Sequence, residues 1–316
     1  MAHFYLAPLE GITGYIFRNA VNEHFGEGVE KFFTPFIMPH IKVPMSSKEV
    51  NDISSDNNAG LNLVPQILTN DAEGFTFLEK SIREYGYSEI NLNLGCPSKT
   101  VVSKGRGSGF LKYPDKLDAF LYQIFENAGG AISVKTRLGD SDPDEFYDII
   151  KIYNKYPIHE LTIHPRIRTQ GYSGTPITTY FLDALKTSKC PVCYNGDIWD
   201  YAAYEKLCAD AHSHELNVMI GRGMVANPGL IRELSTGQKM DSAELQAFLD
   251  TIESSYASVF FGDTNVLFKM KEIWTYMRRL FPNDDKLIKK LMKTKNLREY
   301  EIISSEIVSH LHWGRS

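Results

Sequence analysis

The sequence predicts an α/β protein made of a (β/α)8 TIM barrel followed by a small C-terminal all-helical bundle. The first observation is length, because 316 residues exceed the roughly 250 residues of a typical barrel and leave room for a small second domain. The second is a regular alternation of strand-like and helix-like segments. The third is that helix-like segments continue alone from residue 238. An apolar fraction of 43% is sufficient for a packed core.

Eight strand-like segments occur before residue 238. Each is a short apolar run, and several intervening segments have helical periodicity and begin with Asp or Pro, as at Asp71, Pro114 and Pro143. Alternating strands and helices are typical of a parallel sheet, so eight units predict a closed barrel over residues 1–237. The predicted strands are residues 4–7, 31–37, 61–67, 89–94, 131–136, 160–164, 191–195 and 218–221, and the clearest predicted helices are residues 71–85, 114–127, 143–156, 178–186 and 201–208.

The remaining segments, within residues 238–316, have only helical periodicity. Gly262-Asp263 and Pro282-Asn283, which are typical turn sequences, separate three of them. Short turns between consecutive helices predict a small bundle. Its predicted helices are residues 242–260, 265–280, 285–292 and 297–312.

The charge of the chain is unevenly distributed. A formal net charge of −5 argues against a uniformly basic nucleic-acid binder, yet residues 265–298 contain ten basic and three acidic residues, a local charge of +7. This basic block fits a surface that contacts phosphates, although a solvated helical face has the same composition. The candidate contacts are Lys269, Lys271, Arg278, Arg279, Lys286, Lys289, Lys290 and Lys293.

Cysteine usage and the N-terminus indicate the compartment. Four cysteines are too few for a disulfide framework in a chain of this size. Cys190 and Cys193 are three apart in a strand-like run, where they face opposite sides, so we predict no metal site. Residues 1–10 lack a basic start followed by an apolar run, and no stretch of about 18 apolar residues occurs. We expect a cytoplasmic protein without a membrane partner.

Cys96 follows the strand-like segment 89–94. Gly95 permits a tight approach and Pro97 fixes the backbone, so the thiol is held on a constrained loop. A reactive side chain is often presented in this way. An ordinary buried cysteine remains the alternative, because free cysteine is among the most buried residue types.

Polar residues follow most of the predicted strands, where barrel active sites lie. Glycine-containing loops at 195–197 and 221–223 occupy the usual phosphate position, although such glycines could simply make tight turns. Lys135 needs a negative partner, either a ligand or a structural salt bridge to Glu10 or Asp197. The strand-end residues are Pro8, Leu9, Glu10, Gln66, Asn93, Lys135, His164, Arg166, Asn195, Gly196, Asp197, Gly221 and Arg222.

The ordered set of these motifs resembles the tRNA-dihydrouridine synthase family. Each motif alone is weak, but together they span residues 6–228 in the family's order, and the basic helical tail occupies the position of that family's RNA-binding domain. Leu9 stands where methionine is commoner, and Pro165 stands where the family shows small residues. The motifs are residues 6–13, 91–99, 107–109, 134–139, 161–166, 195–198 and 219–223, with Asn227-Pro228.

The resemblance implies a flavin mononucleotide (FMN) enzyme, reloaded by NADPH or NADH, that reduces the 5,6 double bond of uridines in tRNA. It implies that Cys96 is the proton donor and that Arg166 lies near the substrate, while the basic block binds tRNA. We expect a monomer. The implied FMN-binding residues are Pro8, Leu9, Glu10, Gln66, Asn93, Lys135, His164, Asn195, Gly196, Asp197, Gly221 and Arg222.

Two other functions remain open from the sequence. A barrel flavoenzyme that reduces a free pyrimidine or an enone would use the same flavin groups, but it would not explain the basic tail. A tRNA-binding relative without catalysis would keep the tail, but it would not need Cys96 and Lys135 together. Visible flavin absorbance and a salt-sensitive association with tRNA separate these functions.

Overall fold

The computed structural model describes residues 2–40 and 43–313. The outer ends of the two predicted domains, residues 1 and 316, therefore lie outside the described residues. Eight parallel strands form a closed barrel in sequence order, because the first strand pairs with both the second and the eighth. They are β1 (His3–Leu6), β2 (Val29–Ile37), β3 (Leu63–Ile67), β4 (Glu89–Leu94), β5 (Ala131–Arg137), β6 (Leu161–His164), β7 (Val192–Tyr194) and β8 (Asn217–Ile220).

The predicted barrel and all eight predicted strands are confirmed, with ends that move by two residues or fewer. The starts of β2 and β3 move by two residues, and β5 continues one residue further than predicted, so that it includes Arg137. The helices are α1 (Tyr15–Phe25), α2 (Ser47–Ile53), α3 (Ala72–Arg83), α4 (Lys99–Val102), α5 (Pro114–Asn127), α6 (Glu145–Tyr153), α7 (Thr178–Thr187), α8 (Tyr201–Ala211), α9 (Arg222–Ala226), α10 (Leu230–Thr236), α11 (Ser242–Val259), α12 (Asp263–Met277), α13 (Asp285–Leu291) and α14 (Leu297–Ser309).

Several helices lack a prediction from the sequence. Helix α1 begins after Gly14, which provides no side-chain cap, so the usual start signal is missing. Helix α2 does carry a signal, because Ser46 and Glu49 form a capping box that the prediction overlooked. Within residues 2–40 and 43–313, none of the helices combines the length and apolar composition needed to cross a membrane.

The C-terminal helices pack directly on the barrel, which confirms a helical region after the barrel. The Phe248 ring of α11 lies 5.9 Å from the Phe17 ring and 5.6 Å from the Phe25 ring of α1, centroid to centroid. Helix α12 packs against α9, and its Trp274 indole donates to Tyr300 of α14 at 3.0 Å. The domain boundary at residue 237 stays a prediction.

A buried ion cluster lies at the end of the barrel where the strands begin. Lys31 Nζ lies 2.7 Å from Glu89 Oε2 and 3.8 Å from Glu160 Oε2. Tyr5 Oη and Asn217 Nδ2 donate to Glu160 Oε1. Burial raises the pKa of the Glu160 carboxyl, and Lys31 opposes this rise. One lysine therefore compensates the charge of two carboxylates at the end of the barrel where the strands begin.

We predict that Lys31→Met lowers the free energy of unfolding by about 3 kcal/mol, because both carboxylates lose their shared cation. Urea unfolding of the purified variant measures this change. Lys155→Met is the control, since the Lys155 side chain is 55% exposed in its pair with Asp118. The control should change stability by less than about 1 kcal/mol. Equal effects of the two substitutions would contradict the prediction.

Candidate active site

A chain of amide side chains crosses the barrel and holds the loop after β4. Asn91 Nδ2 donates to Ser133 Oγ at 2.9 Å, and Gln66 Nε2 donates to Asn91 Oδ1 at 2.8 Å. Asn93 Nδ2 then donates to Gln66 Oε1 at 2.7 Å. Asn93 Oδ1 accepts from the backbone nitrogens of Gly95 and Cys96 at 3.0 and 2.9 Å. The position of Cys96 thus depends on side chains from β3, β4 and β5.

This chain of amides includes two residues that were expected to bind the cofactor. Gln66 and Asn93 were expected to bind the cofactor, but Gln66 is fully buried and uses both ends of its amide within the chain. Neither residue lines the pocket described below. In this structure both amides support the Cys96 loop, because a buried amide requires hydrogen-bond partners and the neighbouring strands supply them. Their contact with a cofactor stays a prediction.

The second anchor of the loop is the glycine-rich segment that follows it. Ser108 donates to the carbonyl oxygen of Cys96 from its backbone nitrogen at 3.1 Å and from its hydroxyl at 2.9 Å. Gly107 has a φ of +55°, and a side chain there would lie 2.7 Å from the same oxygen. Only glycine therefore permits this close contact.

The Cys96 thiol is partly buried. Burial raises its pKa, and a backbone hydrogen bond from Ser98 and the charge of Lys135 offset the rise only in part. The side chain is therefore a protonated thiol at neutral pH, which can donate a proton.

A polar pocket opens at the carboxyl ends of β7, β8 and β1. It encloses about 440 Å³ of space that is continuous with open solvent. Nine of the twelve expected cofactor residues line it. They are Pro8, Leu9, Lys135, His164, Asn195, Gly196, Asp197, Gly221 and Arg222.

The carboxylate of Asp197 is shared by two arginines. Its Oδ2 lies 2.6 Å from Arg166 Nη2, and its Oδ1 lies 2.5 Å from Arg222 Nη2. The Arg166 side chain is completely buried and also donates to the carbonyl oxygens of Ser173 and Gly174. Arg166 was expected near the substrate, but its guanidinium has no exposed surface, so here it positions Asp197 and the loop after β6.

His164 lies beside this arginine pair. Its Nε2 is 3.0 Å from Arg166 Nη1. Burial lowers the pKa of His164 well below its ordinary value, and Arg137 and Lys135 lower it further. The ring is therefore neutral, and Nε2 accepts a hydrogen bond from Arg166.

The side chain of Lys135 has neither a hydrogen bond nor an ion pair within residues 2–40 and 43–313. The salt bridge to Glu10 or Asp197 that the sequence left open therefore does not form. Burial lowers the pKa of its ammonium to about 8, and the nearby charge of Arg137 contributes to this shift. Cations thus outnumber carboxylates around the pocket, which makes it a site for an anion.

Glu10 lies at the rim, outside the pocket. Its side chain is half exposed, and its carboxylate is 3.7 Å from Lys48 Nζ. Glu10 was expected to bind the cofactor. The residues after β1 that line the pocket are instead Pro8 and Leu9, together with Ala7 at the strand end.

The glycines of the two candidate phosphate loops allow close packing. A Cβ atom on Gly223 would lie 2.1 Å from the carbonyl oxygen of Ile198, and one on Gly196 would lie 2.2 Å from Tyr194 Oη. The loop after β7 and the start of α9 are therefore in direct contact. A larger residue at position 223 would therefore push the loop after β7 away from α9.

Two aromatic residues of the pocket were missed in the sequence. The Arg222 guanidinium lies 4.7 Å from the Tyr172 ring centroid and 5.2 Å from the Trp199 ring centroid. Trp199 directly follows the motif 195–198, so an aromatic residue beside a glycine loop was the available signal. Tyr172 follows Gly171 in an irregular loop and offered no periodicity to interpret.

The basic block is divided between packing and exposure. Lys269 Nζ donates to the carbonyl oxygen of Gly11, and Lys271 Nζ donates to that of Thr294. Arg278 pairs with Asp285 at 3.0 Å. The exposed lysines of the block, which have no ion pair within residues 2–40 and 43–313, are Lys286, Lys289, Lys290, Lys293 and Lys295.

Sequence comparison identifies relatives over most of the chain. The sequence model of the dihydrouridine synthase (Dus) family matches residues 5–310. tRNA-dihydrouridine synthase B of Pasteurella multocida is 31% identical over 78% of this chain and 73% of its own length. The tRNA-dihydrouridine(16) synthase of Pseudomonas syringae pv. tomato is 30% identical over 78% of this chain and 80% of its own.

Solved structures resemble the barrel. A 2-naphthoyl-CoA reductase complex superposes with a TM-score of 0.56 and 11% identity over 75% of this chain and 50% of its own. The old yellow enzyme homologue of Zymomonas mobilis gives 0.54 and 12% over 75% and 89%. At this identity the likeness concerns the fold alone.

Proposed function

Because the chain belongs to the dihydrouridine synthase family, we propose that it reduces the 5,6 double bond of uridines in tRNA, with FMN as cofactor and NADPH or NADH as reductant. The observation that carries the proposal is the protonated Cys96 thiol, held on its loop near the uncompensated ammonium of Lys135. This pairing provides a proton donor next to an anion site. The tRNA substrate is inferred from the Pasteurella and Pseudomonas relatives, which are named as tRNA-dihydrouridine synthases.

The donor set of the pocket fits FMN. Arg166 and Arg222 share the one carboxylate of the pocket, Asp197, and Lys135 adds a further cation to the lining. This excess of cations suits a phosphate and a flavin ring that carries negative charge when reduced. Arg222 and the loops of Asn195, Gly196 and Gly221 would hold the phosphate.

The remaining pocket residues would hold the flavin ring. Lys135 would face its negatively charged edge, Pro8 and Leu9 would contact the ring, and neutral His164 would supply a hydrogen-bonding edge beside it. They would place a reduced flavin, recharged by NADPH or NADH, where its chemistry would be hydride donation to carbon 6 of the uracil.

Cys96 completes the reduction by protonating carbon 5. The S–H bond breaks as the C–H bond forms, and the enolate-like charge on the base is neutralised. The thiolate then recovers a proton from solvent. The raised thiol pKa favours this step, because the acid form is the one present at neutral pH.

The helical region would bind the RNA. We infer that residues 1–237 form the catalytic domain and residues 238–316 the tRNA-binding domain, and that a monomer acts in the cytoplasm. A stacked uridine must leave the helix to reach a pocket at the barrel mouth. The exposed lysines Lys286, Lys289, Lys290 and Lys293 would position the RNA through its phosphates.

Visible absorbance of the purified protein tests the proposal. We expect oxidised flavin bands, bleaching by NADPH, and anaerobic reoxidation on addition of unmodified tRNA. Flavin that a free pyrimidine or an enone reoxidises, but tRNA does not, would favour a small-molecule reductase. A protein that binds tRNA but takes up no flavin on reconstitution would be a non-catalytic relative.

We predict that Cys96→Ala keeps its flavin and its oxidation of NADPH but loses most dihydrouridine formation, by about 10²-fold to 10⁴-fold, because carbon 5 lacks a proton donor. Mass spectrometry of tRNA nucleosides measures the product. Cys190→Ala is the control, since Cys190 lies near Ser188, outside the pocket. Normal dihydrouridine yield from Cys96→Ala would refute this role.

We predict that FMN affinity falls as pH rises through about 8, the pKa of Lys135. The lysine is cationic below this pH and neutral above it, so the attraction for an anion is lost on the alkaline side. The dissociation constant should rise about five- to tenfold between pH 7 and 9, as measured by quenching of flavin fluorescence. Lys135→Met should flatten this dependence relative to Lys155→Met, and a slope that persists in Lys135→Met would contradict the assignment.

A further inference from the structure

One contact joins the basic block directly to the candidate flavin pocket. The guanidinium of Arg279 lies 3.9 Å from the ring centroid of Trp199, a residue that lines the pocket. The same indole lies 5.2 Å from the guanidinium of Arg222. Arg278, the preceding residue, instead pairs with Asp285.

The backbone around Trp199 is fixed on both sides. Ile198 is 3% exposed, and its nitrogen donates to the carbonyl oxygen of Gly196 at 2.9 Å. Asp200 caps α8 by accepting from the nitrogen of Ala203 at 2.8 Å. The indole therefore stands on a short, well-anchored segment between a buried side chain and a helix start.

Arg279 is held by its own element. It lies in the 3-10 turn Arg278–Leu280 that follows α12. The next residue, Phe281, is buried, and its ring centroid is 5.8 Å from that of Trp274. Helix α12 also packs on α9, which begins at Arg222. The approach of Arg279 to Trp199 is thus part of the packing between barrel and helices.

The stacked guanidinium keeps its hydrogen-bonding capacity. Contact with an aromatic ring uses the face of the group, while the N–H donors point outward in its plane. Within residues 2–40 and 43–313, no carboxylate forms an ion pair with Arg279, which is exposed. A guanidinium that lies over an aromatic ring without a paired anion is suited to a phosphate.

We propose that Trp199 is a positioning residue that holds Arg279 at the mouth of the pocket, where Arg279 binds an RNA phosphate flanking the target uridine. The inference rests on the proposed tRNA substrate. A nucleotide that leaves the stack to enter the pocket brings its own flanking phosphates to the mouth. Arg279 is the residue of the basic block that contacts Trp199 and so lies at the mouth of the pocket.

A double-mutant cycle tests the inference. Trp199→Ala, Arg279→Ala and the double variant are reconstituted to equal FMN content, and their tRNA dissociation constants are measured over a range of salt concentrations. We expect Arg279→Ala to weaken binding about tenfold and to reduce the salt dependence by about one phosphate contact. Trp199→Ala should have a similar effect, and the double variant should be no weaker than Arg279→Ala.

Two further variants distinguish the positioning of Arg279 by Trp199 from a general loss of structure at the pocket. Trp199→Phe keeps an aromatic face and should restore most of the affinity. Arg278→Ala removes the same charge one residue away, and its effect should add to that of Trp199→Ala, because Arg278 does not touch the indole.

If the wild-type enzyme reduces tRNA, two results would overturn the inference. One is an unchanged tRNA affinity in Trp199→Ala, and the other is additive effects of Trp199→Ala and Arg279→Ala. A wild-type enzyme that neither binds nor reduces tRNA would overturn the proposed function itself.

Discussion

The candidate site depends on the shared carboxylate of Asp197, which holds Arg166 and Arg222 together. Burying a guanidinium without an anion is costly, so the completely buried Arg166 requires this partner. Through Arg166 the carboxylate also fixes the loop after β6, and through Arg222 it fixes the start of α9. One carboxylate between two arginines leaves a positive charge in excess, and Lys135 adds a second. The anion site therefore follows from a structural ion cluster.

The acid and the anion site are built by different means. Charged groups from four strand ends form the candidate anion site, whereas neutral amides form the support of Cys96. Neutral amides suit that task, because they fix the loop without lowering the pKa of the thiol, which burial can then raise. The nearby Lys135 acts in the opposite direction, but burial dominates. In the proposed function, the thiol that gives up a proton is thus kept protonated beside a cationic pocket.

The helical region packs against the end of the barrel that carries the candidate site. Helix α12 contacts α9, Lys269 Nζ reaches the carbonyl oxygen of Gly11, and Arg279 stacks on Trp199. A domain held at several points has a fixed orientation on the barrel. In the proposed function this orientation decides which phosphates meet the basic block when a uridine enters the pocket.

The sequence by itself determined the barrel, its eight strands and the strand-end residues, because the alternation of apolar segments and the turn residues are local properties. It also indicated Cys96, Lys135 and the two glycine loops. The tertiary structure decided which side chains meet. The amides of Gln66 and Asn93 turn to each other, Arg166 is buried against Asp197, Glu10 stays at the rim, and Trp199 lies under Arg279. These pairs consist of residues that are far apart in the chain. Strand register and helix packing determine which of them meet, so a local sequence pattern cannot predict the contacts.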